Sequence, residues 1–549
     1  MTISVGRLKA VKNAAIGNPK TKAALVQDPV LLAALIDALH DPALAAEAAH
    51  VVASLALGAD AVLHALLAVH APRALLIALA AHREPHARAA LARALRVLAT
   101  STADAVGPAL WGLSRTPTRE LRDAAASACD ALCAAEALDI YLPFLATPSA
   151  SATAIAQLLG TLLRTPAHRA AVTQWTPSPA SPEQTTRSKR GWEKTAAATT
   201  PVVPLVAKWL VALLDAPGKN NKMDEAVLYA LAALAQENPT VAGYLGQSDT
   251  LPLNTIITYA KSRSAEVQVA ACLCITHALR SLPPRPPPSS HPHPRHSHSH
   301  SVSTSYPHAH MPTIHSLVHA HAAAGGSAHA PPPTLEETGV RTVLNVVNRM
   351  LSVAPAESPL VRMRACFVLH NLVADDLQLC NAALDRGCLD ALGALILALG
   401  PAEPAPPEWE EVEAAATQAL REGALTALAS LALASDDCVR AMSRGVSVLR
   451  TSVVDTGLGL DVLCIVLGTP LPPRIGGSAA GANTAPGARV ADAEMKWPLE
   501  AAPVVDGGDF LRGEDRRVLG AALSAVCNIV NDFSPLRPAY LEKNLVPRL

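Results

Sequence analysis

The sequence predicts an all-α chain wound as a right-handed solenoid of stacked helical units, and three observations carry that prediction. Half of the 549 residues are apolar but only 3% are aromatic, with Ala and Leu dominating. Those two side chains lose little on entering a helix, whereas strands favour β-branched and aromatic residues. Apolar runs with helical spacing stop at short polar breaks and then resume, and the breaks return at a near-constant interval. Such an interval marks repeat architectures, in which no unit can bury its apolar stripe alone.

Taken in order, the first four units read NAAIGNPKTKAALVQ (13–27), SLALGADAVLHALLAV (54–69), RVLATSTADAVGPALWGL (96–113) and LGTLLRTPAHRAAVTQ (159–174). Later copies are ALAQENPTVAGYLGQ (233–247), NLVADDLQLCNAALDRG (371–387), SLALASDDCVRAMSRG (430–445) and NIVNDFSPLRPAYLEKN (528–544). Positions 13, 54 and 96 lie 41 and 42 residues apart, and position 233 is followed 43 residues later by Thr276. A period near 42 residues is that of armadillo and HEAT units, two or three helices each, and predicts about nine units. In VQVAACLCITHALRSL (267–282), Val269, Cys272, Leu273, Thr276 and Leu279 fall on one helical stripe. At each polar break, Asn-Pro, Asp-Asp or Ser-Pro is expected to end one helix and start the next. Asn, Asp or Ser then serves as N-cap, with Pro at the first helical position.

The periodic segments divide the chain into N-terminal repeats over 1–175, middle repeats over 201–282 and C-terminal repeats over 336–549. Between them lie a low-complexity loop at 176–200 and a His/Pro/Ser-rich linker at 283–335, with Pro/Gly-rich insertions at 401–409 and 474–509. With few residues to bury, these four segments are expected to be disordered.

Net charge is −1 at neutral pH, so no global field draws phosphate backbones or anionic lipid, and neither nucleic acid nor membrane is expected as partner. Met1–Asn13 lacks the apolar core of a signal peptide, and the greasiest stretch, Val62–His82, is interrupted by His64, His70, Pro72 and Arg73. The ten cysteines form no C-x-x-C pair and sit mostly within apolar helical patterns, as buried free thiols do. The one N-x-S/T triplet, Asn238-Pro239-Thr240, is blocked by its proline. Both features suit a reducing, intracellular compartment.

The most tempting candidate chemistry is the His cluster at His291, His293, His296, His298, His300, His308 and His310, since neutral imidazoles bind Zn²⁺ or Ni²⁺. A defined site needs ligands held by a supporting shell, and this tract is mixed with Pro and Ser without an apolar scaffold, so it is read as a linker. The run Arg187-Ser188-Lys189-Arg190 is read as solvated surface in preference to a nuclear-import signal. No phosphate loop, H-E-x-x-H, G-x-S-x-G or dinucleotide fingerprint occurs, so neither a catalytic residue, a cofactor nor a metal is expected. Asn13, Asn371 and Asn528 occupy one equivalent place, on the last helix of their units. An Asn there either faces the concave groove and hydrogen-bonds an extended peptide's backbone, or satisfies a neighbouring loop; both readings stay open. The six Trp do not recur one turn before these Asn, as importin-α-like cargo binding would need.

Several units resemble one family. VKNAAIGNPKTKAALV (11–26), VVASLALG (51–58), LAALAQENPTVA (231–242), LREGALTALASLALASDD (420–437) and CNIVNDFSPLRPAYLEKNLVPRL (527–549) are similar to the armadillo-repeat subunit of the GID/CTLH ubiquitin ligase, the armadillo repeat-containing protein eight family. The resemblance implies a non-catalytic scaffold in the cytoplasm and nucleus. It bridges a substrate receptor to a RING-bearing module, so that recruited proteins are ubiquitylated and degraded by the proteasome. Family members continue with further units after F-S-P, whereas LVPRL opens a unit and stops, so a C-terminally truncated chain is expected. The alternative is a general armadillo adaptor, in nuclear transport or signalling, whose groove reads a basic peptide and would therefore carry clustered acids.

Overall fold

Helices start where the sequence supplies an acceptor for the orphan amides of a first turn. In the computed structural model, the side chain of Ser4 accepts from Arg7 N, Asn18 from Thr21 N at 3.0 Å, Asp28 from Val30 N and Leu31 N, and Asp376 from Gln378 N and Leu379 N. Ser149, Thr165, Asn220, Ser264 and Ser358 do the same for later helices. Proline follows the cap at Pro19, Pro29, Pro85, Pro166 and Pro359, where its missing N–H costs nothing.

The structure describes residues 3–107, 117–177, 204–218, 220–247, 251–282, 334–352, 357–399, 411–441 and 515–529. The His tract, the basic run at 187–190, most of the 176–200 and 283–335 segments, both insertions, the Ser534-Pro535 break and LVPRL lie outside the described residues. Among the described residues every regular element is helical.

The chain forms two units, Met1–Arg349 and Met350–Leu549. In the first, helices come in triplets. After α1 (Val5–Ala15) follow α2 (Pro19–Val26), α3 (Pro29–Ala38) and α4 (Ala45–Ala56), then α5 (Asp60–Ala68), α6 (Ala71–Ala81) and α7 (Pro85–Val106). The third triplet is α8 (Arg119–Leu132), α9 (Ala135–Tyr141) with a 3-10 turn at Leu142–Ala146, and α10 (Ala150–Leu162). The pattern continues with α11 (Pro166–Gln174), α12 (Leu205–Asp215) and α13 (Asn221–Ala235), then α14 (Pro239–Gln247), α15 (Pro252–Tyr259) and α16 (Ala265–Arg280). The third helix of each triplet packs on the third helix of the next, so α1, α4, α7, α10, α13 and α16 form a continuous ladder. This is the α-solenoid of armadillo type. Its core is aliphatic: Leu55, Leu63, Leu66, Leu75, Leu91, Leu95 and Leu98 are fully buried, and the Tyr141 hydroxyl donates to Leu132 O at 3.0 Å.

The last helix of the first unit, α17 (Leu335–Leu351), runs antiparallel on α16. The site of a Gly339 Cβ lies 3.2 Å from both Ile275 Cγ2 and Leu279 Cδ1, while at the other end Arg349 donates to Gln268. That packing explains a difference from the sequence reading. One apolar stripe is expected on 267–282, whereas all residues from 269 to 279 are buried, because α17 covers the side that the other ladder helices leave open. In the second unit α18 (Pro359–Val373), α21 (Glu411–Ala441) and α22 (Asp515–Ile529) form a shorter ladder, with α19 (Leu377–Asp385) and α20 (Cys388–Leu399) between the first two.

Two expected breaks do not interrupt their helices. The helix α7 continues through Thr100–Asp104, and α21 continues through Ser435-Asp436-Asp437. Neither stretch contains Pro or Gly, and Thr100 and Thr102 donate back to the carbonyls of Arg96 and Leu98 at 2.9 and 2.7 Å, which satisfies them within the helix. Eight cysteines are described as free thiols and all but Cys527 are buried; burial pushes Cys129, Cys133, Cys272, Cys366 and Cys388 up to about 12. No single helix among the described residues is long and apolar enough to cross a membrane.

Candidate functional site

The ladder helices α4, α7, α10 and α13 bury most of their circumference, and a polar stripe runs along the side that each leaves open. On α4 it is Glu47, His50 and Ser54; on α7 Arg93, Arg96, Thr100 and Asp104; on α10 Thr153, Gln157 and Thr161, with Arg164 just past its end; on α13 Glu225 and Tyr229. Spacings of three and four place each set on one helical face. The short outer helices set this arrangement by covering the opposite side of every ladder helix.

Neighbouring stripes are tied to each other. Lys12 on α1 donates to Glu47 at 2.9 Å, both side chains about a quarter exposed. The Thr100 and Thr161 hydroxyls meet at 3.3 Å, and Arg164 pairs with Asp104 at 2.9 Å, so α7 and α10 run in the same direction. Between α10 and α13 the approach is closer still: a Cβ on Gly160 would sit 3.2 Å from Tyr229 Cβ and 3.4 Å from the Tyr229 carbonyl carbon. The hydrogen bond from Lys12, against a smaller opposing effect of burial, holds the Glu47 carboxyl below its ordinary value. His50 is shifted down, chiefly by burial. Burial also lowers Arg96, whose Nε is enclosed without a partner.

The three Asn singled out in the sequence lie near the C-terminal ends of ladder helices: Asn13 on α1, Asn371 on α18 and Asn528 on α22. They differ in surroundings. Asn13 is exposed. Asn371 donates to Phe367 O of its own helix at 2.8 Å, and Asn528 donates across to Ala429 O of α21 at 3.0 Å. Beside Asn371, His370 Nδ1 meets Ser430 Oγ at 2.5 Å.

A second polar group lies where α11, the α13–α14 junction and the end of α16 meet. Arg169, 3% exposed, pairs with Glu237 at 2.5 Å, and Asn238 donates to Thr173 at 2.9 Å. His277 is buried there with Nε2 unpartnered, and burial, aided by the charges of Arg169 and Arg280, pushes it down to about 4. Among the described residues no group of His, Cys, Asp or Glu is arranged to hold a metal ion. The sequence reading missed Arg93, Arg96, Arg164 and Glu47, though polar side chains recurring every three or four positions inside an otherwise apolar helix were the available signal.

No family model and no curated protein matches the chain. Among solved structures, an engineered protein is similar at 14% identity and TM-score 0.42, covering 99% of this chain and 88% of its own. A second engineered protein matches at 16% identity and TM-score 0.36 over 51% of this chain and 91% of its own. A designed armadillo repeat protein in complex with the peptide (KR)4 matches at 14% identity and TM-score 0.34, covering 50% of this chain and 92% of its own.

Proposed function

We propose that the chain is a non-catalytic scaffold that holds segments of protein partners along its ladder face. The observation that carries this reading is the run of open polar stripes on α4, α7, α10 and α13, on consecutive helices that pack side by side. Such a face offers hydrogen-bond donors and acceptors to an extended chain at regular intervals. In this reading Asn13, Asn371 and Asn528 contribute amides to a partner's backbone. Asn13 is open to do so as it stands, whereas Asn371 and Asn528 would exchange a bond to a helix carbonyl for one to the partner.

The finer reading is that the partners are subunits of a GID/CTLH-type ubiquitin ligase, in the cytoplasm and nucleus, with the chain bridging a substrate receptor to the RING module. Its support is the sequence resemblance at 11–26, 51–58, 231–242, 420–437 and 527–549. Affinity capture of the full chain under gentle conditions should recover RING-type and LisH/CTLH-bearing subunits; a clean preparation lacking them overturns the ligase assignment. The alternative, an adaptor for basic peptides, needs acids clustered on the ladder face. Around α1, α4 and α7 that face carries Glu47 amid several cations, which does not favour it.

A further inference from the structure

The cations on the first three ladder helices form one field. Glu47 on α4 feels Lys12, His50 and Lys9; His50 feels Lys12, Arg93 and His86; and Arg96 feels Arg93. Lys9, His86 and Arg93 are exposed, Lys12, His50 and Arg96 half-buried. Four of these, Lys9, Lys12, Arg93 and Arg96, are Lys or Arg, and against them stand Glu47, already engaged by Lys12, and Glu84, whose carboxylate caps the start of α7. Arg96 adds a guanidinium Nε that is enclosed and unpartnered, an uncommon cost for a buried donor. Further along, Asp104 neutralises Arg164 and Glu225 enters the stripe, so the positive field belongs to the α1–α4–α7 end.

We propose that this end of the ladder face binds an extended acidic peptide, one carrying Asp or Glu carboxylates at intervals of two to three residues. The proposal rests on the scaffold reading above and deepens it by naming the partner's chemistry. Packed helices lie about 8–10 Å apart and an extended chain rises about 3.3 Å per residue, so successive ladder helices meet every third residue or so. Carboxylates at that interval fall opposite Lys9 and Lys12 on α1 and, beyond the neutral His50 on α4, opposite Arg93 and Arg96 on α7. Peptide is favoured over nucleic acid because α1, α4 and α7 carry no Phe, Tyr or Trp to stack a base, and the chain's net charge is −1.

The test uses the full chain and fluorescence anisotropy with three labelled probes: an alternating Glu-Ser peptide, the matching Lys-Ser peptide, and a single-stranded oligonucleotide of the same charge as the first. The acidic peptide is expected to bind at least about tenfold more tightly than the basic one, with affinity falling as salt rises. The double substitution Lys9→Glu with Arg93→Glu, at two exposed positions that leave the fold intact by thermal melting, is expected to weaken it about tenfold or more. Glu47→Gln is expected to strengthen it by releasing Lys12. Equal binding of the two peptides, no binding of the acidic one, an unchanged affinity in the charge-reversed variant, or tighter binding of the oligonucleotide overturns the proposal. Failure here leaves the capture of ligase subunits as a separate result, so the two readings fall independently.

Discussion

At the scale of single residues, His277 couples stability to pH. It sits in the last turns of α16, and enclosure beside Arg169 and Arg280 pushes its pKa from 6.5 down to about 4. Between those values the unfolded chain binds the proton and the folded chain does not, so stability falls as pH drops through this window and the loss is complete near pH 4. A shift of that size corresponds to about 3 kcal/mol. Urea unfolding of the first unit's helices should therefore show a midpoint falling between pH 7 and pH 4.5, and His277→Phe should flatten that slope. A residual slope remains expected from His50 on α4, which is displaced in the same direction. An identical pH profile in the variant contradicts the assignment. Gly160 makes a steric prediction of a different kind. Its neighbour is partly backbone, which cannot swing away, so Gly160→Val should cost about 1–3 kcal/mol despite the better helix propensity of any other residue.

At the scale of elements, the junctions between ladder helices and the helices that follow them share one backbone solution. The residue before the N-cap is left-handed in three of them, Gly17 at φ 69°, Glu237 at φ 50° and Asp375 at φ 56°. Glycine adopts that conformation freely and other residues pay about 1–2 kcal/mol. Gly17→Ala, with nothing within 4 Å of the new methyl, should lower stability by about 1 kcal/mol through the backbone alone, and Asp375→Gly should raise it by a similar amount, both read from denaturant midpoints. These junctions were legible in the sequence because Asn18-Pro19, Asn238-Pro239 and Asp375-Asp376 announce a cap. Thr100–Asp104 was not, because a threonine hydroxyl satisfied by its own helix looks the same in sequence as one that caps the next. Equally illegible was the seat of α17: sequence periodicity shows that a helix has an apolar face, but not which neighbour that face meets or in which direction. The close approach at Gly339 supplies the check. Gly339→Phe should lift α17 from α16 and raise the reactivity of the buried Cys272 thiol towards a disulfide reagent, whereas an unreactive Cys272 would mean that α17 is not what covers it.

At the scale of the whole molecule, the repeat period of the sequence located the ladder, since a fixed spacing of helix starts is a one-dimensional property. The charge on its face was not located in the same way, because Lys12, Glu47, His50 and Arg93 come together only when three helices lie side by side. The same one-dimensional construction governs how damage spreads. Within Met1–Arg349 the core of each triplet is shared with its immediate neighbours, so loss of packing is felt locally. Leu95 on α7 is fully buried, and Leu95→Ala removes about 2–5 kcal/mol of packing. In a two-state globule that loss would accelerate hydrogen exchange everywhere at once. In a ladder it should accelerate exchange on α7 and on α4 and α10, each of which contacts α7 directly, while the amides of α16, two ladder steps beyond α10, keep most of their protection. Uniform acceleration through α16 would show instead that the six ladder helices open as one cooperative body, and that the nearest-neighbour picture of the first unit is wrong.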